Sequence, residues 1–119
     1  MGPTYGLRIS LDQLFPSAAL QTLRSASVPE RERWRVESVA WEINKVTSGG
    51  NTRARLYIDR GAGDKHYLSE QLVPAADWLY TYADPQWLYP GERLSLEIDQ
   101  GQASTRARLS ASGYREQEV

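Results

Sequence analysis

Apolar side chains recur at every second position along most of this chain. The clearest case comes after a turn at Gly91-Glu92, where Leu94, Leu96 and Ile98 alternate with Arg93, Ser95, Glu97 and Asp99. A period of two puts the three aliphatics on one face of a strand and the charges on the other. Such a strand belongs to a sheet with one dry side and one wet side.

Similar runs fill most of the chain. Tyr5, Leu7, Ile9 and Leu11 alternate with Gly6, Arg8 and Ser10, and Pro16 breaks the run beyond Leu14 and Phe15. Residues 17–28 read in two ways. Ala18, Ala19, Leu20 and Leu23 fit a short helix capped by Ser17. Leu20, Thr22, Arg24, Ala26 and Val28 fit a strand entering a turn at 29–32, the preferred reading because a hairpin to the next segment comes at once.

In 33–46, Trp34 and Val36 share one parity while Val39, Trp41 and Ile43 share the other. A uniform strand cannot bury both sets, so a bulge near Glu37-Ser38, or a change of sheet, is expected there. A turn at 48–51 leads to Thr52, Ala54, Leu56 and Ile58, which alternate with Arg53, Arg55 and Tyr57. After a loop at 59–64 comes a weaker strand at 65–73, ended by Pro74. Aromatic strands at 78–82 and 87–89 then precede the run at 93–99. In the last strand Ala103, Thr105, Ala107, Leu109 and Ala111 face inward, with Arg106 and Arg108 outside.

Seven or eight short strands with turns about every 8–12 residues predict an all-β protein. The expected architecture is an antiparallel β-sandwich, jelly-roll-like or Ig-like. The expected organisation is one domain: an N-terminal strand or arm over 1–27, a sandwich core over 28–114 and a solvated tail over 115–119.

Composition adds mostly exclusions. A chain of 119 residues supports a single two-layer core. The formal net charge of −1 argues against nucleic acid or an anionic membrane as the main partner. No apolar run approaches the roughly 20 residues of a spanning helix. The absence of cysteine rules out disulfides, thiolate metal sites and a cysteine nucleophile. Twelve arginines against two lysines fit a heat-tolerant source, and equally a GC-rich genome.

Catalytic chemistry has little to stand on. His66 is the sole histidine, and no nucleophile elbow, metalloprotease motif or phosphate loop accompanies it. Asp59 and Asp64 flank glycines as in a calcium loop, but the acidic spacing of an EF-hand is missing, and a hairpin explains Gly61 and Gly63. No pair among the fifteen acids is singled out for glycoside hydrolysis. The expectation is a non-enzyme without cofactor or metal.

Two surface features carry functional weight. Trp78, Tyr80, Tyr82, Trp87 and Tyr89 fall within twelve residues, with Trp78, Tyr80 and Tyr82 on one strand face. They suit a core end, a protein interface or a platform for sugar rings. Arg53, Arg55, Arg106 and Arg108 form two R-A-R motifs on outward faces. Glu42, Glu97 and Asp99 are placed to neutralise them, and acids of a neighbouring subunit are the other possible partners. The apolar positions of 5–15 suit pairing with another subunit's edge as well as with the chain's own sheet.

The run from Val28 and Pro29 through Trp34, Val36 and Val39 resembles a known pattern. It is joined by Asn51 through Arg53, Arg55 and Asp59, and by Leu88-Tyr89-Pro90-Gly91-Glu92-Arg93-Leu94. Together they are similar to small β-sandwich virion proteins of tailed bacteriophages, over roughly residues 28–112. The resemblance implies a capsid decoration protein, or a neck or tail accessory protein, present in many copies in the virion after synthesis in the host cytoplasm. Its partners would be other copies of itself and a capsid or other virion protein. Small-molecule ligands are not expected apart from a glycan, the ligand of a carbohydrate-binding β-sandwich, which is the alternative function.

Overall fold

The computed structural model describes residues 3–17, 19–46, 52–73 and 76–118. The alternating runs form nine strands among them. These are β1 (Thr4–Phe15), β2 (Gln21–Arg24), β3 (Glu32–Ile43), β4 (Arg53–Asp59), β5 (Lys65–Leu72), β6 (Tyr80–Tyr82), β7 (Gln86–Leu88), β8 (Arg93–Asp99) and β9 (Thr105–Gln117). One antiparallel sheet runs β1-β9-β3, with β6 and β7 both paired to the far side of β3. The other runs β2-β8-β4-β5.

The two sheets pack face to face as a β-sandwich. Its order is that of a jelly roll, in which each strand pairs with its opposite number: β1 with β9, β2 with β8, β3 with β6 and β7, and β4 with β5. The core lies between the sheets. Leu94, Leu96 and Ile98 of β8 and Ala54, Leu56 and Ile58 of β4 face Val39, Trp41 and Ile43 of β3 and Ala107, Leu109 and Ala111 of β9, all buried.

The parity switch in β3 is a bulge. Its register against β9 shifts between Val36 (opposite Gly113) and Ser38 (opposite Ser112), so Trp34 and Val39 both point inward. Gly113 makes the bulge possible. A Cβ at that position would run into the Arg35 carbonyl oxygen, with the Arg35 carbonyl carbon at 2.9 Å and the Glu37 nitrogen at 3.1 Å. The far side of β3 responds to the same break. β7 pairs with residues 34–36 and β6 with 39–41, and the chain between them carries Pro85. One strand position is thereby split in two, which gives nine strands instead of seven or eight.

Several expectations need correction. Within 17–28 a strand forms, not a helix, but it is short and buries Leu23, while Leu20 is exposed. It pairs with β8 in the second sheet, so the turn at 29–32 crosses between sheets and closes no hairpin with β3. The last strand continues through Gln117, and Glu116 is buried against Arg33, so 115–117 are sheet and no solvated tail. At 78–82 only Tyr80–Tyr82 is strand. The turn at 48–51, Ala18, Pro74 and Val119 lie outside the described residues.

Candidate functional site

The two arginine pairs occupy opposite outer faces of the sandwich. Arg53 and Arg55 stand on β4 in the second sheet, Arg106 and Arg108 on β9 in the first. Arg106 reaches Asp12 at 2.8 Å. Arg108 lies between Asp12 at 3.5 Å and Glu42 at 3.6 Å. Arg53 pairs with Glu70 at 2.8 Å, and Arg55 meets Glu97 at 3.1 Å, Glu70 at 3.5 Å and Asp99 at 3.6 Å. Of the expected partners, Glu97 and Asp99 meet Arg55 and Glu42 meets Arg108, while Arg53 and Arg106 take Glu70 and Asp12 instead.

The centre of the second face departs from simple alternation. Tyr57, Ser95 and Glu97 point away from the core yet are as buried as core residues, Glu97 at 3% exposure. Long side chains roof them over. Lys65 lies above the Tyr57 ring at 5.1 Å and donates to Glu97 at 3.0 Å, and Tyr67 tilts onto Tyr57 at 5.5 Å. A carboxylate with so little solvent must be paired, and Glu97 takes Arg55 on one oxygen and Lys65 on the other. The Glu97 hydrogen bond holds both Arg55 and Lys65 above their usual ranges, against the opposing effect of burial. The hydrogen bond from Arg53, with the nearby Arg55 charge, holds the Glu70 carboxyl below its usual range. This face is a closed lattice of charges.

The five aromatic residues do not form one platform. Tyr80 stacks on Trp41 at 4.5 Å and Tyr82 packs against the core, so both face inward, and burial pushes the Tyr80 phenol up. Trp78 lies outside the strand at 60% exposure, and Tyr89 is exposed beside the turn at Gly91. Trp87 sits on the outer face of β7. The Arg33 and Arg35 guanidiniums lie over its ring at 4.6 and 5.1 Å, and Tyr114 meets it edge-on at 5.9 Å. The half-buried Trp87 ring is engaged by these guanidiniums, and Trp78, Tyr80 and Trp87 are not brought together on one surface.

The remaining candidates are also placed. His66 is exposed on β5. The loop between β4 and β5 closes as a hairpin: the Gly61 amide donates to Asp59 Oδ1 at 2.9 Å, and Gly61, Ala62 and Gly63 have positive φ. Among the described residues no group of three or more His, Asp or Glu gathers as metal ligands would. A cleft of about 500 Å³ opens beside β1, bounded by Leu7, Ile9, Ser25, Ala26, Trp34 and Arg115.

The sandwich edges differ in how they meet solvent. Exposed strand edges attract other chains unless they are short, bulged, guarded by lysine or interrupted by proline. β2 has only four residues, and β6 and β7 have three each with Pro85 between them. β5 carries Lys65 and a register shift opposite Leu56 and Tyr57. β1 is long and unguarded, and its two charges, Arg8 and Asp12, are of opposite sign. Its ladder to β9 runs unbroken from Thr4↔Glu116 to Phe15↔Thr105, with no internal proline, and among the described residues nothing pairs with its other side. In sequence these residues suit a first strand of the chain's own sheet or an arm on a neighbour, and in the structure they pair with β9 of the same chain. The roofing of Glu97 was invisible, because it depends on which strands become neighbours.

No protein-family model matches the chain, and no curated protein matches it.

Proposed function

We propose that this chain is a non-enzymatic structural subunit that works by associating with copies of itself and with a larger protein shell. The setting proposed is the virion of a tailed bacteriophage, as a capsid decoration or accessory protein. The observation that carries this reading is the β1 edge. Among the described residues this twelve-residue strand offers a row of unpaired backbone groups, while the other three edges of the sandwich are blunted. The jelly-roll order adds support by analogy of fold, since viral capsid domains use it, and so do lectins and cupins. The virion setting itself rests on the residue pattern of 28–112.

Light scattering on the purified chain tests association. Particles of a multiple of 13.5 kDa are expected, and a mass of 13.5 kDa at every concentration refutes the proposal. Mass spectrometry of purified phage particles from the same source tests the setting, where peptides of this chain should occur in many copies.

A further inference from the structure

We infer that two copies associate through β1, antiparallel about a two-fold axis at Ser10, so that their long sheets fuse into one. This rests on the assembly reading above and adds the surface, the partner and the register.

Backbone geometry sets the phase. The Gln117 amide donates to the Pro3 carbonyl at 3.0 Å, one step beyond the Thr4↔Glu116 pair. In an antiparallel ladder, facing pairs that exchange both hydrogen bonds alternate with pairs that exchange none. Odd-numbered residues of β1 therefore aim their amides and carbonyls at β9. Thr4, Gly6, Arg8, Ser10, Asp12 and Leu14 aim theirs at the open edge.

A second β1 can bond to these groups only when even-numbered residues face even-numbered ones. With the axis at Ser10, Ser10 faces the partner's Ser10 and Gly6 faces the partner's Leu14. Arg8 then faces the partner's Asp12, and Asp12 faces the partner's Arg8. Moving the register by two residues in either direction sets these charges against Ser10, Gly6 or Leu14, and both charge pairs are lost. Facing opposite charges favour a register and facing like charges oppose it.

Arg8 fits this role. It is exposed and, among the described residues, makes no ion pair within its own chain, whereas its strand neighbour Asp12 is held in place by Arg106 and Arg108. On the core side the same register sets Ile9 against the partner's Leu11 and Tyr5 against the partner's Phe15. It would cover Leu7 and Leu11, which the single copy leaves half-buried. Five facing pairs supply about ten backbone hydrogen bonds. The contact uses the same patch on both copies and closes as a dimer.

The test uses the full chain. Because it has no cysteine, Ser10→Cys introduces a single thiol. Facing residues that exchange hydrogen bonds have Cα atoms about 5.5 Å apart, within reach of a disulfide. Oxidised Ser10→Cys should run as a covalent dimer, while Ser110→Cys, on the outer face of β9, should not. Arg8→Asp should raise the dimer dissociation constant about tenfold to a hundredfold, and Arg8→Lys should restore it. Since Arg8 makes no ion pair among the described residues of its own chain, neither change should alter the circular dichroism or melting of the monomer. Association that persists without a Ser10→Cys cross-link and without any Arg8→Asp effect overturns the β1 register and leaves the assembly reading standing. A protein that is monomeric throughout overturns both. Binding to a shell protein without self-pairing overturns the choice of a second copy as the occupant.

Discussion

Replacing Gly113 by alanine isolates what holds the two halves of β3 in phase. At an ordinary strand position the exchange stabilises by about 0.5–1 kcal/mol, because alanine loses less backbone freedom on folding. At Gly113 the new Cβ meets the Arg35 carbonyl, and the crowding atoms are backbone on the bulged strand, which cannot swing aside as a side chain would. Overpacking costs about 1–3 kcal/mol, and each strained ladder hydrogen bond gives up about 1 kcal/mol more. The steric cost outweighs the entropic gain, and the net loss should be about 2–3 kcal/mol. For a chain of this size that lowers the melting midpoint by about 10 °C.

Gly6→Ala is the control. In the single copy nothing lies within 4 Å of a Cβ built there, so at concentrations where the chain is monomeric the entropic gain acts alone and the midpoint should hold or rise slightly. Thermal unfolding monitored by tryptophan fluorescence reads both variants. A Gly113→Ala protein melting at or above the parent would refute the claim that the bulge depends on this glycine.

Two further outcomes come from the charge lattice on the second sheet. Glu97→Gln removes the buried carboxylate that joins Arg55 to Lys65. Both cations keep some water, at 24% and 36% side-chain exposure, so the loss in urea unfolding should be about 1–2 kcal/mol, below that of a sealed pair; an unchanged midpoint would show that Glu97 is not the hub. Lys65 has a folded-state pKa raised first by its Glu97 hydrogen bond. Its stabilisation is therefore whole below the unfolded lysine value of about 10.4 and is lost as pH rises through the folded one. Lys65→Met should flatten the alkaline fall in melting midpoint, and parallel pH profiles for parent and variant would contradict this.

Much of the fold was legible because burial on one face imposes a period of two. Leu94, Leu96 and Ile98 announced a strand, and the clash of parity between Val36 and Val39 announced a bulge or a change of sheet, of which the structure has the bulge. Legibility stopped where pairing decided the outcome. Leu23 and Leu20 look alike in sequence, and only pairing of β2 with β8 turns one inward and leaves the other exposed. Ser95 and Glu97 read as solvent-facing, but a central strand roofed by Lys65 and Tyr67 has no wet side at those positions. The aromatic run looked like one surface by proximity. Alternation separates them: Tyr80, Tyr82 and Leu88 lie opposite the inward-facing Trp41, Val39 and Trp34, while Trp87 lies opposite the outward-facing Arg35.

The unequal lengths of the two sheets connect fold to assembly. β1, β9 and β3 have 12, 13 and 12 residues, while β2, β8 and β4 have 4, 7 and 7. The long sheet therefore overhangs its partner, and its inner surface needs another cover there. Polar and aromatic groups supply it: the Arg115 guanidinium lies over the Tyr5 ring at 5.3 Å, Trp34 Nε1 donates to Glu32 at 3.2 Å, and Arg115 reaches the same Glu32 at 3.8 Å. Such a ladder tolerates water on its outer side, as a purely aliphatic surface would not. It keeps β1 in the sheet beyond the end of the core, so the open edge is about 40 Å long, against the ~23 Å that seven residues would give. In the register inferred above, both Arg8–Asp12 pairs fall within residues 8–12, and the extra length adds the flanking Gly6–Leu14 pairs with about four more backbone hydrogen bonds. The overhang contributes little to the core, and its consequence is a longer open edge that adds hydrogen bonds on either side of the charge pairs.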